Sequence, residues 1–216
     1  MLTVGERLAG EFNQAFLRGI TDIETLSGWM LTKGIPAHLA MPTELRFAVM
    51  RVHPGEGYFE PDTGTRRTGA AGRRMAIIPE GVKSLSSRFG DLDIAVWHHL
   101  DDMVAFDPVD PDRWWRRVGG IDVLGQDALR TARDEGTTLR LFRNPLTWLK
   151  GGAEGVCLVD RAINPAIVFR GIGKIQCEDD NHARWLDRRA CDFARKAMPE
   201  IAIWSPAEDP PSRVAA

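Results

Sequence analysis

The stretch "VWHHLDDMVAFD", residues 96–107, is decisive for the fold, because it places His98, His99, Asp101 and Asp102 inside an apolar run. In an extended strand, His98, Leu100 and Asp102 share one face with Val96 and Val104, while Trp97, His99, Asp101 and Met103 share the other. Neither face is uniformly apolar. The pattern therefore predicts a core strand that bends near Leu100, where a turn or bulge lets the Asp and His side chains satisfy backbone groups.

The same stretch also carries a pattern that is used in metal sites. His99 and Asp101 are two residues apart, so on a strand both side chains point to the same side. His-x-Asp supplies the first two ligands of the 2-His-1-carboxylate site of non-haem iron enzymes. The candidate third ligand is His182, although it falls at the start of a predicted helix rather than on a strand. A divalent-metal enzyme is therefore the alternative to the structural role.

The composition is that of a folded protein with little net charge. The 216 residues include 28 Lys and Arg, 30 Asp and Glu, and 44% hydrophobic residues. A net charge of −2 gives no global attraction to nucleic acid or to an anionic membrane, so any such binding requires a local patch. No apolar run approaches the ~20 residues of a membrane helix. Three cysteines without a CxxC pair are typical of reduced thiols, and we expect a cytoplasmic protein with no membrane contact.

Helical and strand patterns are mixed along the chain without strict alternation. Helical spacing in residues 1–35 predicts an opening helical pair packed on the rest. Strands are predicted at 44–52, 75–79, within 91–107, and at "TTLRLF", "GVCLVD" and "EIAIW". We expect one α+β domain over residues 1–204, a mixed sheet with interleaved helices, and a flexible polar tail over 205–216; an α/β fold is the alternative.

Three further helices are predicted from a capping residue followed by proline: Asp110-Pro111, Asn144-Pro145 and Asn164-Pro165. The last helix is predicted to begin at Asp180 or Asn181 and to end before Pro199.

The segment "TGTRRTGAAGRR", residues 63–74, combines glycines with Arg66, Arg67, Arg73 and Arg74. Flexible backbone and guanidinium groups are what an anion or phosphate site needs. The alternative is an ordinary hairpin loop without a ligand. If the chain binds an anionic protein or nucleic acid, we expect this arginine loop to make the contact.

Two segments resemble parts of a Toprim domain. "MAIIPEGVKSLSSRFG", residues 75–90, is similar to that family's strand-Glu-Gly-helix segment, and "CEDDNHARW", residues 177–185, resembles its metal-binding half. The resemblance implies that Glu80 acts as general acid or base and that Asp179, with Glu178 or Asp180, holds a magnesium ion. Helix capping by Glu178, Asp179 and Asp180 is the alternative that the residues themselves offer.

A broader pattern, including "DRWWRRVG", "NPLTWLKGG" and "EGVCLVD", resembles a set of small bacterial proteins for which the resemblance implies no activity. Its Gly, Pro, Trp and Leu residues fix turns and cores. Without a nucleophile motif, we expect a binding or accessory factor that needs no cofactor and uses the arginine loop. The metal-dependent enzyme is the rival hypothesis, and the sequence does not determine the oligomeric state.

Overall fold

The computed structural model describes residues 2–20, 30, 32–40, 47–62, 72–89 and 92–197. The helices in these residues are α1 (Val4–Ile20), α2 (Gln126–Glu135), α3 (Pro145–Lys150), α4 (Pro165–Val168) and α5 (Asp180–Ala197), with a 3₁₀ turn at Ala37–Ala40. The strands are β1 (Ala48–Pro54), β2 (Phe59–Pro61), β3 (Arg73–Phe89), β4 (Leu92–Phe106), β5 (Trp114–Arg116), β6 (Val123–Leu124), β7 (Leu139–Phe142), β8 (Val156–Leu158) and β9 (Ile175–Cys177). No helix among these residues is long and apolar enough to span a bilayer.

The strand that contains residues 96–106 is bent, as its mixed faces predict. It is β4 of an antiparallel sheet with the order β2-β1-β3-β4-β5. Its pairing with β3 shifts between Glu80 and Gly81 and again between Val82 and Lys83, so Asp101 and His98 lack a directly opposite residue. Each extra residue moves the following side chain to the other face. Trp97, Leu100 and Met103, spaced by three rather than two, therefore all join the same core against α1.

Asp102 is the fully buried acid beside the first bulge. Its Oδ1 accepts hydrogen bonds from the backbone N–H groups of Met103, Arg117 and Val118 at 2.8, 3.0 and 2.9 Å, and its Oδ2 accepts from Gly119 and Gly120 at 2.8 Å each. Such donors compensate the desolvation of a buried carboxylate. Glycine is required at 120, because a Cβ there would lie 2.3 Å from the carbonyl oxygen of Asp101.

Glu80 stands directly across the strand pair from Asp102 and makes a similar attachment. Its carboxylate accepts from the backbone N–H groups of Gly125 and Gln126 at 3.0 and 2.9 Å, at the start of α2. A carboxylate at a helix N-terminus satisfies otherwise unpaired donors. The two acids therefore hold both ends of residues 117–126, the segment that leads from the antiparallel sheet into a second sheet.

The second sheet is mixed, with the order β6-β8-β7-β9. β7, β8 and β9 are mutually parallel, and β6 is antiparallel to β8. One core lies between α1 and the antiparallel sheet, a second joins the two sheets and α3, and a third joins the mixed sheet to α2, α4 and α5. The layers are thus helix, antiparallel sheet, mixed sheet and helices.

The α+β class is confirmed, but the strands form two sheets rather than one. Asn144 and Asn164 cap α3 and α4 with their side chains, as the Asn-Pro pairs predict. The helix predicted after Asp110-Pro111 is wrong: the chain makes a turn there and continues as β5, which pairs with Val104–Phe106. The helix α2 was not predicted. Residues 21–29, the strand "EIAIW" and the tail lie outside the described residues.

We predict that Asp102→Asn lowers the free energy of unfolding by about 3 kcal/mol, because a single amide oxygen cannot accept from five buried N–H groups and its NH₂ would face some of them. Asp101→Asn is the matched control on the exposed neighbour and should change stability by less than about 0.5 kcal/mol. Urea denaturation measures both. Equal losses for the two variants would contradict this role of Asp102.

Candidate anion-binding cleft

A cleft of about 440 Å³ lies where the carboxyl ends of the parallel strands meet. Arg143 follows β7 directly, Arg161 follows β8 after two residues, and α5 begins just beyond β9. In sheets with parallel strands, ligands characteristically bind outside these carboxyl ends. The cleft is lined by Asp112, Trp114, Arg143, Leu158, Arg161, Asn181, His182, Trp185 and Arg189. Three of these side chains are guanidinium cations and one is a carboxylate.

Arg189 is the most firmly held of the three cations. Its Nη2 donates to the backbone carbonyls of Asp160, Arg161 and Ile163 in the loop after β8. Its Nε is buried and has no hydrogen-bond partner. Burial lowers the pKa of Arg189 from its usual value, partly offset by the charge of Asp160. An arginine remains charged despite such a shift, so a positive charge is fixed in the wall of the cleft.

Arg161 is fixed by stacking. Its guanidinium carbon lies 4.2 Å from the centre of the Trp114 ring, and its Nη2 donates to the carbonyl of Asp112. The indole N–H of Trp114 in turn donates to the carbonyl of Val159 at 2.9 Å. Within the described part of the chain, Arg161 and Arg189 thus have backbone carbonyls and no carboxylate as hydrogen-bond acceptors.

Arg143 differs because it is paired with an acid. Its Nη2 donates to both carboxylate oxygens of Asp179, at 2.9 and 2.7 Å. Asp179 also accepts the backbone N–H of His182 at 2.8 Å and so caps α5. That backbone hydrogen bond, followed by Arg143, lowers the pKa of Asp179. The acid predicted to hold magnesium therefore fixes the start of a helix and one wall of the cleft.

His182 is the buried titratable group of the cleft, with only 3% of its surface exposed. Its Nδ1 is buried without a hydrogen-bond partner and lies 3.8 Å from Oε2 of Glu178. Burial lowers the pKa of His182 below its ordinary value of 6.5, and the negative charge of Glu178 opposes this only in part. The imidazole is therefore neutral at pH 7.

The residues of the predicted iron site do not come together. His99 and Asp101 do share a face, with Nε2 and Oδ1 3.7 Å apart, and both are exposed. His182 instead lies in the cleft, next to Glu178. Over the residues that the structure describes, no three His, Cys, Asp or Glu side chains are grouped so that they could hold a metal ion.

The magnesium set is likewise divided between the two sheets. Glu80 belongs to β3 and caps α2, whereas Glu178, Asp179 and Asp180 lie at the end of β9 and the start of α5. Glu178 accepts the backbone N–H of Arg143 at 3.3 Å. In the structure Asp179 caps α5, as the alternative predicts, Glu80 caps α2, and Glu178 holds the loop after β7.

The arginine loop can be placed only in part. Arg66 and Arg67 lie outside the described residues, while Arg73 and Arg74 are exposed at the start of β3. As adjacent strand residues they point to opposite faces of the sheet. The side chains of Arg73 and Arg74 therefore do not point toward the same ligand.

Sequence reasoning missed the cleft arginines, although a signal was present. The predicted strands "TTLRLF" and "GVCLVD" are each followed at once by an arginine, Arg143 and Arg161. The helical spacing of the last helix predicts Trp185 in its buried stripe and Arg189 on its opposite, solvent-exposed face. In the structure Arg189 is half-buried and Trp185 is partly exposed, because the cleft lies against this side of α5.

Comparison with known proteins provides no relative from which to transfer a role to this cleft. No family model, curated protein or solved structure matches the chain. The Toprim and small bacterial protein resemblances thus stay predictions.

We predict that His182 makes the protein less stable as the pH falls below about 6.5. The pKa of His182 is lower in the folded than in the unfolded chain, so the unfolded chain takes up the proton first as the pH falls. The free energy of unfolding therefore decreases from about the unfolded pKa down to the folded one. His182→Gln removes this contribution, and urea denaturation between pH 7.5 and about 5 compares the two proteins.

The expected result is that wild type loses stability relative to His182→Gln as the pH falls. His38→Gln, which replaces an exposed histidine, is the control and should retain the wild-type pH dependence. Parallel pH profiles for wild type and His182→Gln would show that burial of this imidazole does not affect folding.

Proposed function

We propose that the protein binds a small ligand that carries an oxyanion, and that it does so in the cleft at the carboxyl ends of β7, β8 and β9. The observation that carries the proposal is the state of Arg161 and Arg189. Both line a cleft of about 440 Å³, and both hydrogen-bond to carbonyls rather than to carboxylates within the described chain. Neither guanidinium is therefore committed to a carboxylate by a hydrogen bond, and both can receive an anion from solution.

The arrangement also reduces the conformational entropy that the side chains lose on binding. Arg161 is stacked on Trp114, and Arg189 is held by three carbonyls, so little side-chain freedom remains to be lost. Planar guanidinium groups match carboxylate and phosphate oxygens with paired hydrogen bonds. The volume of the cleft lies within the range of small-molecule sites, which favours a small ligand over a macromolecular partner.

The predicted roles of the other residues are separate proposals. Contact between the arginine loop and an anionic protein or nucleic acid is supported by the exposure of Arg73 and Arg74. Among the described residues, no group of three His, Cys, Asp or Glu side chains supports the metal-dependent enzyme. We also propose a cytoplasmic location, in line with three free cysteines.

The test is calorimetric titration with inorganic phosphate at low ionic strength. Arg161→Gln should weaken phosphate binding about tenfold, because it removes a charged donor without altering the core. Arg130→Gln is the matched control, since Arg130 is an exposed arginine on α2 that pairs with Asp127 and does not line the cleft. It should leave the affinity unchanged.

A second comparison separates the cleft from the arginine loop. Replacing Arg66, Arg67, Arg73 and Arg74 with Glu should leave phosphate binding in the cleft intact. If that variant abolishes binding and Arg161→Gln does not, the cleft proposal is wrong and the loop is the anion site. Absence of phosphate binding by the wild-type protein would also overturn the proposal.

A further inference from the structure

Trp185 presents an aromatic surface inside the cleft. Trp148 and Trp115 are buried in the cores, whereas 38% of Trp185 is exposed. Trp185 contacts two neighbours on α5: the His182 ring centre is 5.7 Å away, and the Arg189 guanidinium carbon is 5.3 Å from the Trp185 ring centre. These contacts restrain the ring, and its exposed surface is suited to stacking a planar ligand.

A second planar surface lies in the same cleft. The guanidinium of Arg161 stacks on Trp114, and the indole of Trp114 is tied to the carbonyl of Val159. A guanidinium held in this way can receive an aromatic ring on its other side as well as hydrogen-bond an oxyanion. Both planar surfaces thus lie next to the cationic groups that would receive a phosphate.

The cleft also has room for more than an isolated anion. A water molecule occupies about 30 Å³ in the liquid, so a single phosphate would leave most of the cleft filled with water. The 440 Å³ available suits a ligand that has both a ring and an anionic group. Two buried polar atoms without partners, Nδ1 of His182 and Nε of Arg189, belong to residues that line this space.

We propose that the ligand is a planar heteroaromatic compound that carries a phosphate, of the class of the nucleoside monophosphates. Its ring stacks on Trp185, and its phosphate accepts hydrogen bonds from the cleft guanidinium groups. The inference rests on the proposed function, because it assigns a substrate class to the same oxyanion site. It goes further in requiring that the ring contributes to affinity.

The experiment titrates the full-length protein with four ribonucleoside monophosphates, with ribose 5-phosphate and with adenosine, using calorimetry. The best nucleotide should bind at least about tenfold more tightly than ribose 5-phosphate. A factor of about ten corresponds to the lower part of the range that stacking of one base on an aromatic side chain contributes to affinity. Adenosine, which lacks the anion, should bind more weakly than the best nucleotide. Nucleotide binding should quench tryptophan fluorescence in the wild-type protein, and this quenching should be lost in the Trp185→Leu variant.

Variants of the aromatic ring separate stacking from a structural role. Trp185→Leu should reduce the preference for nucleotide over ribose 5-phosphate to about one, and Trp185→Phe should restore part of it. Tyr58→Leu is the control, because Tyr58 is an exposed aromatic residue that does not line the cleft. If Trp185→Leu fails to fold, the Trp185→Phe variant and the ligand series still decide the question.

The results distinguish the two proposals. Equal affinity for nucleotides and ribose 5-phosphate overturns this inference and leaves the oxyanion site standing. Adenosine binding as tightly as the best nucleotide overturns it as well. If neither these phosphates nor inorganic phosphate bind, the proposed function fails together with the inference.

Discussion

The carboxylate of Asp102 is the constraint on which the rest of the structure depends. A fully buried charge requires several donors, and here five backbone N–H groups supply them, four from residues 117–120. The loop is thereby fixed against the bulge of β4. The two arginines that flank its start then reach in different directions: Arg117 binds Glu11 of α1 at 3.1 Å, and Arg116 binds Asp160 after β8 at 3.0 Å. One buried acid thus positions contacts to the layer on each side of the antiparallel sheet.

The cleft is linked to this constraint through Asp160. The side chain of Asp160 accepts from Arg116 and from the backbone N–H of Ala162, while its carbonyl accepts from Arg189. The loop after β8 is therefore held from the antiparallel sheet on one side and from α5 on the other. The Asp160 carbonyl that accepts from Arg189 is therefore held through Arg116, which precedes the loop that Asp102 fixes.

The sequence allows local features to be predicted better than distant ones. The caps at Asn144 and Asn164 depend on neighbouring backbone, and the bend near Leu100 follows from the broken alternation of one strand. Asp110-Pro111 has the same local pattern, but pairing of Trp114–Arg116 with β4 outweighs helix formation. The exposure of Trp185 and the partial burial of Arg189 were not predictable from the sequence. Helical periodicity separates one buried face from one solvent face and does not reveal a cleft. The cleft depends on which strands become neighbours, and spacing along the chain does not reveal that.

The cleft has a fixed part and a free part. Arg189 closes a loop through three carbonyls, and Arg143 with Asp179 holds the start of α5, so the two arginines stabilise the fold as well as line the cleft. Trp185 is partly exposed in the cleft and carries less of the structure. In the proposed site, divergence of ligand preference among descendants of this chain is therefore expected at Trp185, where substitution costs little stability, while the arginines of the cleft are inherited unchanged.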